Sequence, residues 1–286
     1  MRVLHSAQLM AHRSVHLLEA GIVTEQRFAG VAEAPAALGP AVAKQLQPEK
    51  RIRVPFYPRD RWLTAAREAC ILLSDAVCTS LTAGARVGIL GGECTLVAGS
   101  VSGALRVEPE MLLVYFDAHG DFNTLATTPS HFVGGMCLAH VCGKQVAPLL
   151  WPGVKKIAED HAYLVGAREL DPGEVGNLSR SKVHRIAFDR DLVDAPSLLS
   201  AVRRKPVWLH VDLDIVDPRE LAAVALPVAG GPTLKALGEL LASVSQVADV
   251  RGIEICGYDT RKDPEVQVPG VLAAAFAGVF LSLIHI

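Results

Sequence analysis

No CxxC pair occurs among the six cysteines, at positions 70, 78, 94, 137, 142 and 256. No cleavable export signal is read at the start of the chain either, because His5, His12, Arg13 and His16 interrupt it. Both absences point to a reducing, cytoplasmic setting. There is no basic excess: 28 Lys and Arg against 30 Asp and Glu leave a net charge of −2, with nothing to neutralise phosphates or anionic lipid. Nucleic acid is thereby disfavoured as the main partner. The mean hydropathy is positive, yet no apolar run reaches the roughly 18 residues a spanning helix needs before a charge or glycine breaks it. Low-complexity linkers and internal repeats are also missing. With 24 Gly and 17 Pro among 286 residues, disordered and collagen-like chains are excluded.

What remains is an alternation of short β-rich runs with longer Ala/Leu-rich stretches. Residues 86–90, 112–116, 162–165, 207–211 and 253–257 read as strands; 60–82, 94–105, 133–148, 194–203 and 233–249 read as helices. Strands apolar on both faces and separated by helices predict a mainly parallel sheet covered on both sides, a three-layer α/β/α architecture. No domain boundary is visible, so residues 1–286 are expected to form one domain. The patch at 32–43 reads as a surface loop or weak helix. Residues 271–286 read as a last helix whose end, about 281–286, is truncated or foreign to the fold. His5, His12 and His16 do not share one helical face and are expected to be solvated, while Cys137 and Cys142 are expected to be core thiols.

Ligands in such sheets gather beyond the carboxyl ends of the strands, and the polar residues fall there. The run 112–116 leads into Asp117, His119 and Asp121, and the run 207–211 leads into Asp212 and Asp214. At every second position, side chains project from one face for as long as the chain stays extended. Four carboxylates and an imidazole make an oxygen-rich set suited to Mn²⁺ or a similar divalent ion. Taken singly, each motif also reads as a capping loop or a solvated turn. Taken together, so many carboxylates in one crevice would repel one another without a cation.

These elements resemble the ureohydrolase family of arginase, agmatinase and formiminoglutamase. The likeness runs in the family's order through Gly91-Gly-Glu-Cys-Thr95, Asp117-Ala-His-Gly-Asp-Phe-Asn123, Ser130 with Gly134-Gly-Met136, Gly166 to Glu174, and Val211 to Pro218. It implies an arginase-like fold, trimeric or hexameric assembly, and a pair of Mn²⁺ ions that activate water to attack a linear C–N bond of a guanidino, formimino or related small molecule. Asp117 and Asp212 would bridge both ions, Asp121 would complete one site and orient the water, and His119 with Asp214 would complete the other. Asp171 matches a position near the substrate's amino end, and Asn123 and Ser130 match positions near its carboxylate. Loop hydrogen bonding is the plainer account of those three.

Four departures stand out. Cys94 occupies the place of the family's first histidine ligand; it is either an inert thiol or a softer ligand that favours Zn²⁺ or Fe²⁺. The proton-shuttle histidine is replaced within Gly134-Gly135, leaving His131 as the nearest substitute, or as a solvated loop residue, beside Phe132. Gly257 stands where many members carry a guanidinium-facing glutamate. Residues 221–227 are apolar where the family has a small Pro/Gly-rich run. A hydrolase with a changed substrate is therefore expected, the alternative being a catalytically silent relative that binds a metal or ligand. The zinc deacetylase branch of the same fold ranks below both, since its paired histidines are absent.

Overall fold

The computed structural model describes residues 13–190 and 193–284. Among them, eight strands form one sheet in the order β2-β1-β3-β8-β7-β4-β5-β6, and all seven pairings are parallel. The strands are β1 (Val15–Ala20), β2 (Lys50–Arg53), β3 (Arg86–Gly91), β4 (Leu112–Phe116), β5 (Ala162–Val165), β6 (His184–Ile186), β7 (Pro206–Asp212) and β8 (Asp249–Cys256). The helices of eight residues or more are α1 (Ala34–Leu46), α2 (Trp62–Thr82), α3 (Val97–Ala104), α4 (Pro172–Ser179), α5 (Ala195–Val202), α6 (Leu234–Val247), α7 (Val268–Ala275) and α8 (Ala277–Ile284).

The strand period of two sorts the side chains into two apolar layers. Leu18, Val87, Ile89, Leu113 and Tyr115 face one cluster, shared with Ala66, Cys70, Leu73 and Val77 of α2 and Val97 and Val101 of α3. Leu17, Leu90, Leu112, Val114 and Phe116 face the other, shared with Leu38 and Val42 of α1, Leu198 of α5, and Leu237 and Leu241 of α6. This is the expected three-layer architecture. Fully buried central strands leave no alternation between apolar and polar residues, which is why they read as continuous apolar runs.

Several elements depart from the sequence reading. Of the two alternatives for 32–43, a surface loop or a weak helix, the segment takes the helical one: α1 starts with Pro35 in its first turn, where a missing N–H costs nothing, and continues past Pro40. His16 is not solvated but 3% exposed in β1, with Nδ1 2.9 Å from Ser80 Oγ; an inner parallel strand buries both faces. His5 and His12 lie outside the described residues. The helix read at 133–148 is instead a series of short turns, broken at Gly143 with φ of 94°. The final helix is two, α7 and α8, with Leu283 and Ile284 buried in the second cluster; His285 and Ile286 lie outside the described residues. Cys137 and Cys142 are core thiols as expected.

One buried group gives the fold a pH dependence. His140 is 1% exposed, and burial followed by the nearby Lys156 charge lowers its pKa to about 4. The unfolded chain therefore binds this proton more tightly than the native one, and stability falls as pH drops below the ordinary histidine value. Metal-free protein should lose about 2 kcal/mol from this residue between pH 7 and pH 5. Urea denaturation at both pH values checks this; His140→Gln should show a loss smaller by that amount, and an equal loss contradicts it.

Candidate metal centre

The four central strands β3, β8, β7 and β4 are neighbours in the sheet, and metal-ligating or acidic residues lie at or just beyond the end of each. Beyond β3 lie Glu93 and Cys94, and beyond β4 lie Asp117 and His119. Asp212 ends β7 and is followed by Asp214, while Cys256 ends β8 and is followed by Gly257. Except for Cys256, which lies beneath it, these residues line the floor of a cleft of about 160 Å³. Gly92 permits the approach of the β3 turn to the neighbouring chain, because a Cβ there would lie 2.2 Å from the Ile22 carbonyl oxygen.

The floor is tied together by its own carboxylates. Asp117 Oδ1 accepts from His119 N at 2.7 Å, Asp214 Oδ1 from Ala118 N at 3.1 Å, and Asp212 Oδ1 from Asp214 N at 2.8 Å. His119 Nδ1 lies 3.0 Å from Asp214 Oδ2 and 3.4 Å from Asp117 Oδ1. Burial and then the Asp214 and Asp121 charges push the Asp117 carboxyl well above its usual range. Burial and then Asp214 raise Asp212 to about 6. Burial lowers the basicity of His119, but its hydrogen bonds to Asp117 and Asp214 outweigh this and raise its pKa to about 12. The crevice calls for positive charge.

Two groups of ligand atoms converge here: Asp117, His119 and Asp214 form one, and Cys94, Asp117 and Asp212 the other, the atoms of each within 4.8 Å of one another. Asp121 belongs to neither. The extended run ends before it, and with φ of 48° its Oδ2 accepts from Tyr115 OH at 2.5 Å, although the residue still lines the cleft. Burial raises its pKa to about 8.

The expected substrate residues also reach the cleft. Asn123 Nδ2 donates to Asp171 Oδ2 at 2.8 Å, and Ser130 lies at the exposed rim. Asp171 at the same time caps α4 in a reciprocal capping box with Glu174, so its loop-forming role is real as well. His131 does not line the cleft; its side chain is exposed, and its backbone N–H donates to Thr128 Oγ1 at 3.1 Å. Phe132 does line it, its ring tilted against that of Phe28 with centroids 5.0 Å apart, and with Ala225 and Leu226 makes an apolar wall.

Compared with known proteins, the sequence profile of the Arginase family matches residues 20–282. The chain belongs to the arginase family. It is similar to the N(omega)-hydroxy-L-arginine amidinohydrolase of Streptomyces lavendulae, 30% identical over 57% of this chain and 59% of that protein. It is likewise similar to the arginase of Bacillus caldovelox, 30% identical over 78% of this chain and 77% of that one. The solved arginase of Bacillus cereus shares the fold, with a TM-score of 0.82 at 22% identity, covering 94% of this chain and 98% of that one. The match thus spans less than two thirds of the length of the Streptomyces relative.

Within this arginase-family fold, several cleft residues escaped the sequence reading. Glu93 is 5% exposed and accepts from Thr24 Oγ1 at 2.6 Å and Thr95 Oγ1 at 2.7 Å; burial raises its pKa to about 7. Thr24 and Phe28 come from the first 85 residues, which carry no motif. Glu174 ends the family-like run from Gly166 but was given no role; its Oε1 accepts from Phe122 N at 2.7 Å. Among the described residues, no helix is long and apolar enough to cross a membrane.

Proposed function

We propose that this arginase-family chain is a metal-dependent hydrolase of a linear C–N bond in an amidino, formimino or related small molecule. The observation that carries the reading is the convergence of buried Asp117, Asp212 and Asp214 with half-buried His119 at neighbouring strand ends. These donors fit a hard divalent cation: they are mostly buried carboxylate oxygens, and burial and neighbouring carboxylates raise the pKa of both Asp117 and Asp212. Asp117, His119 and Asp214 would hold one ion, and Asp212 with Asp117 and Cys94 a second. The chemistry such a metal supplies when bound is Lewis acidity and activation of water near neutral pH.

The chain's own residues do the rest. Asp121, anchored through Oδ2 by Tyr115, orients the attacking water. The Asn123–Asp171 pair and Ser130 bind the polar end of the substrate, and Phe28 and Phe132 exclude solvent from one side. Gly257 brings no carboxylate to meet a guanidinium, which argues against arginine itself as the substrate. Manganese as the resident metal, cytoplasmic residence and a homo-oligomeric state belong to the same proposal and rest on family membership.

Turnover is the test. Chelator-stripped protein reloaded with Mn²⁺ should release urea, formamide or ammonia from at least one compound in a panel of guanidino, formimino and ureido substrates, and should lose that activity on renewed chelation. Stoichiometric Mn²⁺ binding with no turnover on any of them would instead favour a catalytically silent relative.

A further inference from the structure

Below the carboxylate floor, on the side of β7 and β8 that faces Tyr115, lies a second set of metal-ligating atoms. Strand register builds it: Asp212 pairs with Cys256 and His210 with Glu254 across β7 and β8, while Tyr115 pairs with His210 across β4 and β7. Cys94, from the turn after β3, closes the group from the other side. The ligand atoms of Cys94, His210 and Cys256 lie within 4.8 Å of one another. His210 is 0% exposed, Cys256 1% and Cys94 7%.

The spacing is that of a tetrahedral thiolate site. Zn–S and Zn–N bonds of ordinary length place two sulfurs about 3.8 Å apart, and a sulfur and a nitrogen about 3.6 Å apart. Here Cys94 Sγ is 3.8 Å from Cys256 Sγ, and Cys256 Sγ is 3.6 Å from His210 Nε2. A fourth donor faces both thiols: Asp212 Oδ2 lies 3.0 Å from Cys94 Sγ and 3.6 Å from Cys256 Sγ.

The surroundings are those of a metal ligand rather than of a core histidine. Glu254 Oε1 lies 2.6 Å from His210 Nδ1. A carboxylate on one ring nitrogen fixes the proton there and leaves Nε2 free to ligate, which is how metal-bound histidines are generally oriented. Tyr115 stacks on the ring at 4.0 Å and holds its plane. Glu254 Oε2 is buried with no hydrogen-bond partner among the described residues. Two soft sulfurs and an imidazole select zinc-class ions over manganese.

We propose that Cys94, Cys256 and His210, completed by Asp212, bind one thiophilic divalent cation of the zinc class, with Glu254 orienting His210. The site shares Cys94 and Asp212 with the hydrolytic centre proposed above, but His210 and Cys256 belong to no part of that centre. It therefore stands or falls independently of turnover. An ion held there would take Cys94 and Asp212 Oδ2 as ligands, so it would differ in chemistry from one held by Asp117, His119 and Asp214.

Cobalt(II), a spectroscopic stand-in for zinc, provides the test on the reduced full chain. One equivalent should produce a thiolate-to-cobalt charge-transfer band of two-thiolate intensity, together with the visible bands of four-coordinate cobalt, and one equivalent of Zn²⁺ should bleach both. Cys256→Ser and His210→Gln should weaken cobalt binding by more than about 100-fold, and Glu254→Gln by about 10- to 100-fold, while Mn²⁺ still binds as seen by electron paramagnetic resonance. If a variant fails to fold, the wild-type band and its intensity decide the matter. Absence of the band in the wild type, one-thiolate intensity, or a band lost only in Cys94→Ser would overturn the proposal, whatever the protein hydrolyses.

Discussion

Asp214→Asn is expected to lower Mn²⁺ affinity by more than about 100-fold and to reduce metal-dependent turnover to background. Changing residues that merely support a ligand costs about 10- to 100-fold, and loss of a ligand should cost more. Asparagine keeps the size of the side chain and an oxygen to accept from Ala118 N, now at 3.1 Å from Asp214 Oδ1, so the loop keeps its shape. What disappears is the charge beside His119 Nδ1. Titration of Mn²⁺ into wild type and variant, followed calorimetrically, reads the affinity directly. Circular dichroism and a urea midpoint no lower than the wild type's establish that only the site has changed. Wild-type affinity in the variant would remove Asp214 from the metal centre.

Gly257→Glu should damage the site rather than restore an arginine-directed one. The backbone at Gly257 has φ of +85°, and a Cβ there would lie 2.2 Å from Asp212 Oδ1 and 2.9 Å from its Cγ. A non-glycine residue in this conformation costs about 1–3 kcal/mol, and Asp212 must also move from the position in which it accepts from Asp214 N. The expected results are a stability loss of about 1–3 kcal/mol by chemical denaturation and at least about a 10-fold drop in Mn²⁺ affinity. Wild-type stability combined with new turnover of arginine would show that the missing carboxylate was a simple deletion. The expected outcome instead makes it part of a rearranged floor, in which Asp212 occupies the space that a side chain at 257 would need.

How far the sequence disclosed this arrangement depended on whether the signal was local. The runs at 112–116 and 162–165 coincide with β4 and β5 because central parallel strands are continuous apolar segments bounded by loop residues. β1, β2 and β6 were not seen. β2 is largely exposed and rich in charge, KRIR, and β6 has only three residues, so neither shows a period. α1 was obscured by two prolines, one of which is harmless at a helix start.

In the site, Asp117, His119, Asp212 and Asp214 were legible because each follows a strongly apolar strand. The role of Asp121 was harder to read, since alternation predicts one face only for an extended chain, and the left-handed turn at that residue redirects it toward Tyr115. Glu93, His210 and Cys256 could not be found by any local rule. They become neighbours through the order β3-β8-β7-β4, in which segments far apart in the chain lie side by side, and no spacing in one dimension reports it. Cys94 was singled out by its position in a motif, but its proximity to Cys256 became visible only in the fold.

The most direct test of the metal centre is anomalous difference density at the manganese edge in crystals of the protein grown with Mn²⁺. A peak enclosed by Asp117, His119 and Asp214 is the predicted result. Saturated crystals with no peak there, or with manganese bound only elsewhere on the protein, would contradict the account.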